Sequence, residues 1–171
     1  MTQPRILIAG IGNIFLGDDA FGSEVARALE RRALPDGVRV VDFGIRGFDL
    51  VYALLDDYEA TIFVDATPRG GEPGTLYTIE PDLSELDGLD AEGMMVEPHG
   101  MNPLKVLAMV KSMGGQFGRI LLLGCEPSPL LSEEGYMGLS EPVRAAVDEA
   151  INVVESLVAK ILAEERRGAT A

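Results

Sequence analysis

The chain has 171 residues, enough for one domain of ordinary size, and at 47% hydrophobic and 25% charged it is globular rather than disordered. Acids outnumber bases 28 to 14, a net charge of −14, which argues against binding nucleic acid or an anionic membrane surface, because both need clustered lysine and arginine. A single cysteine, Cys125, precludes an internal disulfide, and with no signal-peptide layout and no apolar run near the ~20 residues that span a bilayer, a cytoplasmic protein with no membrane partner is expected.

Residues 6–11 are a continuous apolar run of strand length, the pattern of a strand covered on both faces. Gly10, Gly12 and Gly17 then permit an unusual loop path, and this loop carries two adjacent carboxylates, Asp18 and Asp19. From Phe21 the apolar positions Phe21, Val25, Ala28 and Leu29 take helical spacing, until Pro35-Asp36-Gly37 stops the helix. Residues 38–43 form a second strand that ends at Asp42. Residues 48–55 form a helix with Leu50, Val51, Leu54 and Leu55 on its apolar face, and residues 61–64 a third strand opening onto Asp65. Strands alternating with helices predict right-handed βαβ units and a parallel sheet.

The turn-rich link at 68–74 is too short for a parallel crossover, so the strand at 75–79 is expected to run antiparallel at a sheet edge. Residues 80–98 are acidic and irregular, and are expected to form a flexible loop leading into His99. Asn102 reads as a helix N-cap with Pro103 at the first helical position, and the helix is expected to turn Leu104, Leu107, Val110 and Met113 inward. Residues 119–124 are the last buried strand. A proline-rich loop follows, and Ser140 caps a final helix with the stripe Val143, Val147, Ile151, Val154, Val158 and Ile161. The polar tail at 166–171 is expected to fray. The chain reads as one domain, 1–171.

Gly10 and Gly12 fit a dinucleotide-binding fingerprint, but Phe15 occupies its third glycine position, and Asp18 and Asp19 would repel a pyrophosphate. The acids suggest another use. Asp19 follows the first strand, Asp42 ends the second and Asp65 the third, and in an open parallel sheet such ends converge on the crevice where ligands bind. His99, the only histidine, could reach the same edge. Two carboxylates and an imidazole make a three-ligand site with open positions, suited to zinc, nickel or a similar ion. The competing reading is that these aspartates cap helices and form turns. Cys125, ending a buried strand, reads as a small core residue rather than a nucleophile.

The segments GIGNIFLGDDAFG, VVDFGIRG, FVDAT and EPHGMNP, in this order, resemble the [NiFe]-hydrogenase maturation endopeptidases, and the resemblance runs from about Arg5 through the last helix. It implies a three-layer αβα fold: a five-stranded, mostly parallel twisted sheet with one antiparallel edge strand and helices on both faces. It implies an endopeptidase that removes the C-terminal extension of a [NiFe]-hydrogenase large-subunit precursor after nickel insertion. The family's metal ligands carry over to Asp19, Asp65 and His99. Asp42 matches a further acid near the site, so the implied catalytic set is Asp19, Asp42, Asp65 and His99. Gly12 and Asn13 match the signature loop, and Asp18 is expected to be structural. The nickel is expected to be presented by the precursor, with another divalent ion such as zinc as the alternative, and the free protein is expected to be a monomer. Ile45 stands where relatives often have threonine and Ala20 where many have glycine, which bears on the hydrogenase served and leaves the ligands intact. Two rival readings are a nickel-checking escort that hydrolyses nothing and an acid-site peptidase with another protein substrate, as in the spore germination proteases.

Overall fold

The computed structural model describes residues 5–88, 102–129 and 138–169. The first apolar run is β1 (Ile6–Ile11), buried along its whole length. The other strands are β2 (Val38–Gly44), β3 (Ala60–Ala66), β4 (Leu76–Ile79) and β5 (Arg119–Cys125), in the order β2-β1-β3-β5-β4. β1 pairs in parallel with both β2 and β3, and β3 in parallel with β5. Only β4 runs antiparallel, against β5 at the edge, as the short link before it requires. The helices are α1 (Phe21–Glu30), α2 (Gly47–Leu54), α3 (Pro103–Ser112) and α4 (Glu141–Ala169).

The period-two alternation of the strands divides the interior into two cores. Ile6 and Ile8 of β1 and Ile62 and Val64 of β3 face one side, where Phe21, Val25 and Leu29 of α1 meet Val143, Val154, Val158 and Ile161 of α4. Leu7, Ala9 and Phe63 face the other side, against Leu50, Val51 and Leu54 of α2 and Val106, Leu107 and Val110 of α3. The result is three layers, helix–sheet–helix. Each fully buried aliphatic or aromatic side chain contributes about 1.5–3 kcal/mol. An N-cap such as Asn102, whose side chain accepts from the Leu104 N–H at 2.9 Å, contributes about 1 kcal/mol. The two-sided burial of the strands therefore decides the architecture, and caps decide where helices begin.

The strand order explains where a ligand can enter. From β1 the chain crosses to β2 on one side, and it later returns to place β3 on the other. The loops after β1 and β3 thus leave in opposite directions and open a crevice at their carboxyl ends, as at the switch point of other doubly wound sheets. Helix α1 lies very close to these strands. A Cβ on Gly22 would sit 2.0 Å from the Val64 carbonyl oxygen and 2.2 Å from that of Ile11, both immobile backbone. Gly22→Ala is therefore expected to destabilise by about 3 kcal/mol or more, at the top of the range for overpacking; a urea midpoint equal to wild type would refute the close packing.

Several boundaries differ from expectation. Met113 does not point inward: it lies at the C-terminal cap of α3 and is 51% exposed, while Val106 and Met109 take the buried positions. Helix α4 continues past Glu165 to Ala169, through the first part of the segment expected to fray. Within the acidic stretch at 80–98, Leu83–Gly88 form a 3-10 helix that buries Leu86 against the α2–α3 core; the rest of that stretch, from residue 89, lies outside the described residues. Among the described residues no helix is long and apolar enough to cross a membrane.

Candidate functional site

The site grows from the loop that leaves β1. Gly12 is obligatory there, since a Cβ would come within 2.2 Å of the Asp19 carbonyl oxygen where a 3-10 turn, Gly17–Ala20, folds back over it. Asn13 then shapes the loop twice. Its side-chain oxygen accepts from the Phe15 N–H at 2.9 Å, an Asx turn. Its own N–H donates to Asp19 Oδ2 at 2.9 Å, which aims the carboxylate.

The twin acids of that turn have opposite environments. Asp18 is fully buried: Oδ1 accepts from the Ser140 N–H at 2.6 Å, and Oδ2 from the Ser128 N–H and the Ser140 hydroxyl, each at 2.8 Å. It ties the β1 loop to both the exit of β5 and the start of α4. Asp19 is half-buried and faces a cavity of about 550 Å³ that is also lined by Ala66, Gly70, Gly71, Glu126 and Pro127.

Asp65 lies inside β3, one residue before its end, and its position in the alternation matches Phe63, on the α2–α3 side. Burial above all, and then the charge of Asp19, push its carboxyl well above the ordinary 3.8, against the pull of the Ala66 N–H. Burial likewise raises Asp19, opposed by the Asn13 N–H. What acts on Asp19 is burial and the Asn13 N–H, and what acts on Asp65 is burial, the Asp19 charge and the Ala66 N–H, with no lysine or arginine among the described residues. Two acids held together without a compensating cation form a site that favours a cation.

Asp42 does not join them. Its Oδ2 accepts from Arg27 Nε at 3.1 Å and its Oδ1 from the Gly44 N–H at 3.0 Å. It lines a neighbouring groove of about 360 Å³ with Asn13, Phe15, Ile45 and Arg46, because β2 lies on the far side of β1 from β3. Arg46 closes the turn after β2, donating to the carbonyl oxygens of Asp42 at 2.6 Å and Phe43 at 3.2 Å. His99 lies outside the described residues. Among the described residues no group of three histidines, cysteines or acids is placed to hold a metal ion.

Two residues at the end of β5 complete the surroundings: Cys125, which the sequence already reads as core, and Glu126, which it does not single out. Cys125 is fully buried, and burial, with the Asp18 and Glu126 charges adding, pushes its thiol up to about 12. It is a core residue and no nucleophile: iodoacetamide is expected to label it at pH 8 about a hundredfold or more slowly in the native protein than in urea, and equal rates would contradict this packing. The second is Glu126, a buried carboxylate that follows β5 and walls the cavity that Asp19 lines. A sequence signal existed for it, as it is an acid at the carboxyl end of a parallel strand, like Asp42 and Asp65.

The chain was compared with known proteins. The hydrogenase maturation protease family model matches residues 23–157. The hydrogenase expression/formation protein HoxM of Azotobacter vinelandii is 36% identical over 172 aligned positions, covering 98% of this chain and 80% of that protein. Among solved structures, the hydrogenase 2 maturation peptidase from Thaumarchaeota archaeon SCGC_AB-539-E09 superposes with a TM-score of 0.68 at 34% identity, covering 91% of this chain and 98% of the other. The hydrogenase maturating endopeptidase HybD from Escherichia coli gives a TM-score of 0.71 at 27% identity, with 91% and 93% covered.

Proposed function

Because the chain belongs to the hydrogenase maturation protease family, we propose that it removes the C-terminal extension of a [NiFe]-hydrogenase large-subunit precursor once nickel is in place, and that it reads the nickel through Asp19, Asp65 and His99. The chain is a peptidase of hydrogenase processing by its family; the mode of nickel recognition is our own reading. The observation that carries it is the pairing of Asp19 with Asp65 at the β1–β3 crevice, both raised by burial and with no lysine or arginine acting on them among the described residues. Carboxylate oxygens suit a divalent ion, and an imidazole completes a set with open positions. Helix α3, which starts at Pro103 shortly after His99 in sequence, packs on the same side of the sheet as Phe63, the side that Asp65 shares in the alternation.

On this reading the nickel is part of the substrate. It arrives seated in the precursor, and Asp19, Asp65 and His99 would take up coordination positions on it that the precursor's own ligands leave open. A cation held by Asp19, Asp65 and His99 would polarise the scissile carbonyl and lower the pKa of an attacking water; zinc in the same ligand set would supply the same chemistry. Asp42 takes a supporting part. Both its oxygens are engaged, and the Gly44 N–H that it accepts belongs to the residue whose carbonyl accepts the Gly12 N–H at 3.0 Å. Asp42 thereby braces the Gly12–Asn13 loop that aims Asp19.

The test is cleavage. Purified protein incubated with a nickel-loaded precursor should shorten it at the C-terminus, read by intact mass, and should leave the nickel-free precursor whole. An authenticated cognate precursor that stays uncut rules out the activity. Binding without any product would favour the escort reading. Normal cleavage by His99→Ala or Asp19→Asn would remove those residues from the site and leave the activity standing.

A further inference from the structure

Glu126 is a buried carboxylate that the proposed chemistry does not use. It follows the last residue of β5, where the β4–β5 ladder continues one step: the Glu126 N–H donates to the Thr75 carbonyl and the Gly74 N–H to the Glu126 carbonyl, both at 2.8 Å. Its side chain then reaches into the segment between β3 and β4. Oε1 alone accepts from the Arg69 N–H at 2.8 Å, the Gly71 N–H at 2.9 Å and the Tyr77 hydroxyl at 2.7 Å. Burial by itself would push this carboxyl up, but the Tyr77 hydroxyl and the N–H groups of Arg69, Gly71 and Gly70 together hold it below the ordinary glutamate value. The Arg69 guanidinium lies 5.5 Å from the centre of the Tyr77 ring.

The residues hung from this oxygen are exposed ones. Arg69, Gly70 and Gly71 all lie at the surface, with no core side chain among them to fix their path. Gly70 has a φ of +85°. Gly71 is pressed against the anchor, since a Cβ there would come within 2.3 Å of the Tyr77 hydroxyl. Gly70 and Gly71 form a wall of the cavity that Asp19 also lines. A loop that is built on one buried acceptor and lines the cavity of Asp19 is placed to receive a peptide chain.

We propose that Glu126 is a positioning residue for the precursor: it holds residues 69–71 as the wall against which the precursor's C-terminal segment lies while its scissile bond is at Asp19 and Asp65. This rests on the endopeptidase reading above and adds to it the part of the enzyme that binds the peptide flanking the cut. Glu126 acts through the loop and does not touch the reacting atoms. Its loss therefore weakens substrate binding more than turnover, because losing uniform binding raises KM with kcat preserved. A glutamine keeps a side-chain oxygen able to accept the same hydrogen bonds and so preserves the wall.

The experiment measures cleavage of nickel-loaded precursor by wild type, Glu126→Ala, Glu126→Gln and Gly71→Ala. Glu126→Ala is expected to raise KM about tenfold with kcat within about twofold, Glu126→Gln to stay within about threefold of wild type in KM, and Gly71→Ala to resemble Glu126→Ala. Hydrogen exchange at residues 69–71 should quicken in Glu126→Ala and leave β1 and β3 protected. Should Glu126→Ala fail to fold, Gly71→Ala and Tyr77→Phe, which strips a single hydroxyl from the anchor, carry the same KM comparison. An unchanged KM in Glu126→Ala and Gly71→Ala, or a glutamine variant as impaired as the alanine one, overturns the proposal. Wild type inert on the precursor instead defeats the endopeptidase reading, and this proposal with it.

Discussion

Asp65→Asn will sharply reduce cleavage of the nickel-loaded precursor and at the same time raise the melting temperature. The two effects share one cause. Burial first, and the Asp19 charge second, lift the Asp65 carboxyl well above 3.8 in the folded chain. The folded protein therefore holds a proton at pH values where the unfolded chain has released it. Stability then falls as pH rises from about 4 and stops falling only once the folded-state pKa is passed. Asparagine has no proton to lose, so the variant's advantage is absent below about pH 4 and largest at neutral pH. Each 1 kcal/mol of relieved penalty raises the melting temperature of a chain of this size by about 2–4 °C. The loss of activity should reach about 10²–10³-fold, the scale of losing one charge-stabilising group at a reacting centre. Calorimetry from pH 4 to pH 8 beside a mass-based cleavage assay checks both; a variant no more stable than wild type at pH 8 would falsify the account of the acid pair.

Asp18→Ala should act in the opposite sense, lowering the melting temperature sharply. It leaves the Ser128 and Ser140 N–H groups and the Ser140 hydroxyl without their acceptor. Each hydrogen bond to a buried charge contributes about 1.5–3 kcal/mol, and an orphaned buried donor adds its own desolvation. A total of about 3 kcal/mol or more, or about 6–12 °C, is expected. Asparagine does not rescue the site, because its NH₂ group must face one of the two main-chain donors. The contrast with Asp19→Ala, which removes a carboxylate that accepts from the Asn13 N–H, separates the neighbours. If thermal scans find Asp18→Ala as stable as Asp19→Ala, their assignments as anchor and site are wrong.

This contrast marks the limit of local reading. Asp18 and Asp19 are adjacent in an identical stretch of chain, and nothing in spacing or composition tells them apart. They differ because a 3-10 turn points one into the interior and the other into the crevice. The partners of Asp18 lie 110 and 122 residues away. Glu126 was legible as an acid after a strand but not as an anchor, because its donors on Arg69, Gly71 and Tyr77 lie 57, 55 and 49 residues back. Asp42 shows the converse. As a strand-end acid it looked equivalent to Asp65, yet β1 stands between β2 and β3, and that order alone puts it in another groove with Arg27.

By itself the sequence determined what depends on neighbours along the chain. The buried run of β1, the Asn102–Pro103 start of α3, the stripe on α4 and the antiparallel β4 all follow from side-chain period, restricted φ or the length of a link, and these are properties of a few consecutive residues. Tertiary structure alone decided which acids meet. Strand order brought Asp19 and Asp65 to one switch point and kept Asp42 away, and long-range hydrogen bonds made Asp18 and Glu126 supports. The reason is physical: a carboxylate's role is set by its desolvation and by the donors and charges within a few ångströms, and in this fold most of those come from distant parts of the chain.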